Sequence, residues 1–274
     1  AGLSGVYAYP GTPSTEITEY IQGHPLAAAR GVHRTWSSNE KTAVEEALGM
    51  SFAGKRALVC MKHVGMNVAA DAFVNSAMTG ANGGLVVVAA DDPSMHSSQN
   101  EQDSRFYGKF ALVPTFEPST QQEAYDMAKA AFELSERFRI PVLMRLTTRM
   151  AHSRAVVEVT EPRAENELHA PADTRRWVLM PGNSRVRYKG LLDDYARLEE
   201  AAAASPFNAY AEGPDKRLGI IACGIAHNYV MENYPDGCPH PVLKLSQYPL
   251  PRDLVRRMAS ELSLIHISEP TRRV

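Results

Sequence analysis

The sequence predicts an α/β fold: a parallel sheet covered by helices, followed by the start of a second α/β unit. Three observations predict it. Short apolar, β-type runs alternate with helical patterns from Val6 to about residue 155, which is the arrangement that right-handed βαβ crossovers produce. One run, Leu85–Ala90 (LVVVAA), is continuously apolar and needs cover on both faces, as a central parallel strand has. After a stretch dotted with prolines and charges, the same alternation begins again at Arg217.

The elements follow in order. Strand Val6–Tyr9 runs into a tight Pro10-Gly11 turn, where nearby hydroxyls suit the start of a helix over Ser14–Gln22. Strand Val32–Trp36 leads to a helix over Glu40–Ala53 with an acid at its first position. Strand Ala57–Met61 precedes a Gly65 turn and a helix over Met66–Thr79. The buried strand Leu85–Ala90 gives way to the polar stretch Ser97–Arg105, and helix Gln121–Phe138 to strand Pro141–Leu146. These elements make one unit over residues 1–155. Residues 156–215 hold prolines, charge clusters and the helical run Leu191–Ala203, and read as an extended linker with one helix. Strand Arg217–Cys223, helix Ile225–Glu232, strand Pro241–Leu245 and helix Pro251–Leu262 then form a partial second unit over 216–262. Ser263–Val274 (SLIHISEPTRRV) resembles a translated sequencing-adapter read-through. Residues 263–274 are therefore expected to be non-native, the alternative being an ordinary tail with a Ser-Glu-Pro turn.

Composition narrows the function classes. A chain of 274 residues, 44% hydrophobic and 22% charged, reads as a soluble globular protein of one large or two ordinary domains. With 29 basic and 31 acidic residues, no general nucleic-acid or acidic-membrane surface is expected. Cys60, Cys223 and Cys238 form no CxxC pair, which argues against an iron–sulfur or zinc site in this chain and for a reducing cytoplasm. No apolar run approaches the roughly 20 residues that a membrane span takes, and no leader opens the chain. The start, Ala1-Gly2-Leu3, has no initiator Met, so a missing natural N-terminus is expected.

Ligands of parallel sheets bind beyond the carboxyl ends of the strands, and each polar segment singled out here follows a strand. Glu40 sits at a helix start. Ser37-x-x-Glu40 has capping-box spacing, and the helix dipole alone favours an acid there. Glu45 and Glu46, further along, read as solvent-facing or inter-subunit. Thr12, with neighbouring N–H groups, suits a carboxylate ligand; equally, Thr12 or Ser14 caps the next helix. At His63-Val64-Gly65-Met66-Asn67, Gly65 lets a ring approach the backbone, and His63 is either a proton carrier or a structural histidine. Cys60 reads as a buried strand residue. Ser97–Arg105 is too polar for core and reads as a surface loop or a site edge.

Taken together, YAYPGTPSTEI, NEKTAVEEALG, KHVGMNVAADA and SSQNEQDSR occur in the order and spacing of a known family. From about Val6 to Arg154 the chain resembles the pyrimidine-binding domain of thiamine diphosphate-dependent 2-oxoacid ferredoxin oxidoreductases, specifically the indolepyruvate alpha subunits. RLGIIACGIAHNYV resembles the start of that family's transketolase-C-like domain. The resemblance implies a role for each site residue. Glu40 would bond N1′ of the aminopyrimidine and favour the imino tautomer that removes the thiazolium C2 proton. Gly65, Met66 and Asn67 would line the cofactor's pyrimidine, and Thr12, His63 and Arg105 would contact the substrate. Pyruvate-specific relatives carry an arginine after the strand that here ends Ala90-Asp91-Asp92-Pro93. That departure counts against pyruvate and makes Arg105 a substitute carboxylate partner.

The implied reaction is oxidative decarboxylation of aryl pyruvates such as indolepyruvate, with the acyl group passed to coenzyme A and electrons to ferredoxin. The implied partners are a beta subunit and a component completing the diphosphate site. The family's Gly-Asp-Gly motif and cysteine clusters are absent from this sequence, so magnesium and 4Fe-4S clusters are expected in the remainder of a longer chain. Another 2-oxoacid ferredoxin oxidoreductase and a non-oxidative thiamine decarboxylase are the enzyme alternatives. A flavodoxin-like binding domain is the non-enzyme alternative.

Overall fold

The computed structural model describes residues 1–171 and 173–269. The chain opens with β1 (Gly5–Ala8), α1 (Thr15–Gly23), α2 (Pro25–Ala29) and β2 (His33–Trp36). It continues through α3 (Glu40–Phe52), β3 (Ala57–Lys62), α4 (Gly65–Thr79) and β4 (Leu85–Asp91). Next come α5 (Arg105–Ala111), β5 (Thr115–Phe116), α6 (Gln121–Phe138), β6 (Val142–Thr147) and the short α7 (Thr148–Ala151). A 3-10 turn (Thr174–Trp177) and the long α8 (Pro181–Ala203) lead to β7 (Ala209–Ala211), β8 (Gly219–Cys223), α9 (Ala226–Glu232) and β9 (Val242–Leu245). The last elements are β10 (Gln247–Tyr248), α10 (Arg252–Glu261) and β11 (Ile265–Ser268).

The main sheet has seven strands in the order β10-β5-β6-β4-β3-β1-β2. All neighbours pair parallel except β10, which runs antiparallel to β5. The expected parallel α/β architecture is therefore the observed one. β1 has β2 on one side and β3 on the other, so the winding direction reverses at β1. Such a reversal opens a crevice at the carboxyl ends of the strands. β4 is buried along its whole length, and each Val or Leu buried there contributes roughly 1.5–3 kcal/mol. Helices α3, α4 and α5 pack side by side, while right-handed crossovers place α1 and α6 on the other face.

The smaller sheet has the order β11-β8-β9-β7. Asn228 Nδ2 ties it to the first unit by donating to the Ser119 carbonyl at 2.7 Å, as does a Lys244–Glu123 ion pair. β10 crosses over to complete the edge of the main sheet.

Several elements differ from their expected extent. α8 starts at Pro181 rather than Leu191, with the proline at a first-turn position, where its missing N–H costs nothing. Leu191 and Leu198 of α8 enter the main core, so the segment between the two units packs on the first. The two-residue strands β5 and β10 are too short to carry a periodic signal. β11 falls within the segment expected to be adapter-derived and pairs parallel with β8. Residues 270–274 of that segment lie outside the described residues. No helix of the described residues is long and apolar enough to cross a membrane.

Candidate active site

The turns after β1, β2 and β3 converge on the carboxyl edge of the sheet. A Cβ on Gly11 would lie 3.0 Å from the Cβ of Lys62, so the first and third turns touch. A Cβ on Gly65 would lie 2.6 Å from both Cγ and Oε1 of Glu40. The Glu40 carboxylate thus rests on the bare Cα of the first residue of α4, and any other residue there would displace it. It makes no hydrogen bond or ion pair with any described residue.

The capping reading of Glu40 is corrected. The N-cap of α3 is Asn39, whose Oδ1 accepts from the Thr42 N–H at 2.9 Å. Ser37 instead donates its hydroxyl to Glu46 at 2.5 Å. Glu40 is therefore the first helical residue rather than the third, and no reciprocal capping bond holds it. Glu45 pairs with Lys41 on an exposed face. The hydroxyls around Gly11 also act otherwise than as caps: Ser14 donates to the Gly11 carbonyl and Thr15 accepts from the Gly11 N–H. Ser14 makes no capping bond to α1. Thr12 is exposed, precedes a cis proline, and its hydroxyl has no partner among the described residues.

His63 is fully buried. Its Nε2 lies 3.1 Å from the Asn100 carbonyl, and its Nδ1 has no partner among the described residues. Met66 turns its side chain into the core, and its N–H bonds the His63 carbonyl, so it offers a ligand no polar group. Asn67 is exposed, and its carbonyl oxygen accepts from the Tyr107 hydroxyl. Residues 92–104 pass beside this turn. Asp92 gathers the first half of that loop, accepting from the Ser97 N–H at 2.8 Å, the Ser98 hydroxyl at 2.5 Å and the Thr148 hydroxyl at 2.7 Å. Burial pushes its carboxyl up, but these bonds outweigh burial and hold it well below the ordinary range.

Arg105 is corrected as a free carboxylate partner. Its guanidinium binds Asp103, Glu117, the Tyr248 hydroxyl and Glu269. It belongs to a buried polar cluster with Arg145, which is fully buried and bonds Asp91 at 2.5 Å as well as Glu117. The cluster joins the two sheets. Tyr248 lies on β10, and a Cβ on Gly224, at φ +49°, would lie 2.5 Å from Glu117 Cγ. Burial, with the Glu117 carboxylate, raises the Tyr248 phenol well above its ordinary value, and burial pushes the Cys223 thiol up to about 12. Sequence reasoning missed Arg145 and Glu117. The signal was a lone arginine inside the apolar strand PVLMRL, which is costly to bury without carboxylate partners.

Residues 1–189 match the family profile described as pyruvate flavodoxin/ferredoxin oxidoreductase, thiamine diphosphate-binding. The chain belongs to that family. Its similar relatives include the indolepyruvate oxidoreductase subunit IorA of Archaeoglobus fulgidus, 43% identical over 98% of this chain and 44% of the relative. The same subunit of Pyrococcus abyssi is 45% identical over 98% and 43%. The 2-oxoglutarate synthase subunit KorA of Methanothermobacter thermautotrophicus is 26% identical over 59% and 44%. The chain thus spans less than half the length of the curated relatives it matches. The solved 2-oxoglutarate:ferredoxin oxidoreductase of Magnetococcus marinus shares the fold, with a TM-score of 0.73 at 16% identity over 97% of this chain and 54% of that one.

The residues present fit the pyrimidine half of thiamine diphosphate. A carboxylate with no partner among the described residues lies on a glycine at the winding reversal, where a flat ring would meet backbone rather than side chain. Among the described residues, no group of three or more His, Cys, Asp or Glu side chains is placed to hold a metal ion.

Proposed function

We propose that this chain supplies the pyrimidine-binding part of an enzyme that oxidatively decarboxylates aryl pyruvates, indolepyruvate among them, to aryl-acetyl-CoA with reduction of ferredoxin. One observation carries the reading: the Glu40 carboxylate, without a partner among the described residues, rests on Gly65 at the carboxyl edge of the sheet. The names of the similar relatives support the choice of indolepyruvate. Asp91 and Asp92 stand where the resemblance places an arginine in pyruvate-specific relatives, and both are engaged with loop and core residues.

When bound, thiamine diphosphate supplies the electron sink that decarboxylation of a 2-oxo acid requires. Glu40 holds a proton at N1′ of the aminopyrimidine and so sets the basicity of the ring. Gly65 leaves room for that contact. Asn67, whose amide nitrogen has no partner among the described residues, borders the same turn, and the Thr12 hydroxyl is available to orient the substrate carboxylate. Magnesium, the 4Fe-4S clusters and the diphosphate contacts belong to the remainder of a longer chain or to a partner subunit, and the isolated chain is expected to show no turnover.

The test is Glu40→Gln in the full-length subunit assembled with its partner. Ferredoxin reduction driven by the 2-oxo acid should fall by about 10²–10⁴-fold with an unchanged melting temperature. Retained activity would return Glu40 to an ordinary helix-end residue of a binding domain.

A further inference from the structure

Residues 92–104, between β4 and α5, are held at several places, among them Asp103 by Arg105 and Arg145. Asp92 gathers the outgoing end through Ser97, Ser98 and the His96 N–H. Asp91 holds the returning end through the N–H and hydroxyl of Ser104. The middle of the loop is held from a different element. Lys62 Nζ donates to the Ser97 carbonyl at 2.8 Å, and His63 Nε2 lies 3.1 Å from the Asn100 carbonyl. These donors are consecutive residues, Lys62 the last of β3 and His63 the first of the turn to α4, and the segment touches Gly11 and runs into Gly65 beneath Glu40.

The chemistry of the imidazole sharpens the point. A carbonyl oxygen only accepts, so Nε2 carries the proton. In the neutral ring Nδ1 is then an acceptor, and it is buried without a donor. Leaving a buried polar atom unmatched costs stability. Among the described residues, the ring's hydrogen bond is the Nε2 contact with the loop.

We propose that Lys62 and His63 are positioning residues that latch loop 92–104 onto the Gly65 turn, so that one element sets both the loop and the seat of Glu40. The inference rests on the proposed cofactor role of Glu40, since the latch serves the reaction only there. His63 acts through the loop rather than on substrate.

The test uses the full-length subunit with its partner and reads hydrogen exchange of the loop amides together with kcat and KM. In Lys62→Met and in His63→Ala, exchange across residues 94–103 should rise about tenfold, as expected for the loss of one such bond, while β6 exchanges as before. kcat should fall in both variants. His63→Gln, whose side-chain amide can donate from the Nε2 position, should recover protection and most of the activity. Loop protection equal to wild type in both variants would overturn the latch, as would faster exchange with kcat and KM unchanged. If His63→Ala does not fold, Lys62→Met, which removes a partly exposed group, carries the same test. Full activity of Glu40→Gln would strike the functional reading instead, and the exchange result would still decide the latch.

Discussion

Gly65→Ala should separate catalysis from folding at the candidate site. Gly65 is the first residue of α4 and has an ordinary negative φ, so alanine fits its backbone. Alanine in a helix is favoured over glycine by roughly 0.5–1 kcal/mol. The new Cβ, however, would lie 2.6 Å from Glu40 Cγ and Oε1 and 2.9 Å from Cδ. To regain ordinary contact at 3.4 Å the carboxylate must retreat by about 0.8 Å. That movement is cheap, because Glu40 is a flexible side chain without other partners, so stability should change by less than about 1 kcal/mol. The same movement takes the carboxylate out of its working position, and a misplacement of about 1 Å costs on the order of 100-fold in rate. The assay pairs thermal melting with steady-state turnover in the full-length subunit and its partner. The expected result is a melting temperature near that of wild type and a kcat lower by 10- to 100-fold. A folded Gly65→Ala enzyme with wild-type kcat would refute the reasoning.

Three further outcomes follow from the same geometry. Asn39→Ala should cost about 1 kcal/mol in a denaturant melt, because its Oδ1 caps α3; Ser37→Ala should cost less, and the reverse order would contradict the assigned cap. Arg145→Leu should destabilise by roughly 3–5 kcal/mol, since it leaves Asp91 buried without its cation and Glu117 with Arg105 alone; a denaturation midpoint like that of wild type would contradict that role. Burial raises the carboxyls of Asp92 and Asp103, yet the Ser98 hydrogen bond and the Arg105 hydrogen bond respectively lead the effects that leave both lowered. Their contribution is thus fully present above the unfolded carboxylate value of about 4 and lost as pH falls below it. Urea midpoints measured from pH 6 downward should drop through that window, and Asp92→Asn should flatten the drop; an equal slope in the variant would refute the assignment.

Much of this architecture was legible because the central strands β3, β4 and β6 are mostly apolar runs, and they lie within one or two residues of their predicted ends. The position of Glu40 at a helix start after a strand was legible for the same reason. Which residue caps that helix was not: Ser37-x-x-Glu40 and Asn39-x-x-Thr42 both carry cap chemistry, and only the backbone path chooses Asn39. Arg105 looked available because, apart from the adjacent Asp103, its partners are spread along the chain as Glu117, Tyr248 and Glu269. No local pattern links such positions. The contacts of Lys62 and His63 with the loop were hidden likewise, since both donate to backbone carbonyls, which every residue type supplies.

The central claim is that Glu40 acts on the aminopyrimidine, and exchange of the cofactor's C2 proton reads that action before any substrate binds. Thiamine diphosphate on the full-length assembled enzyme would be transferred into deuterated water and the C2–H signal followed in acid-quenched samples, for wild type and Glu40→Gln. The account predicts exchange slower by about 10²–10⁴-fold in the variant, with the cofactor still bound. Equal exchange rates in two equally loaded enzymes would contradict it.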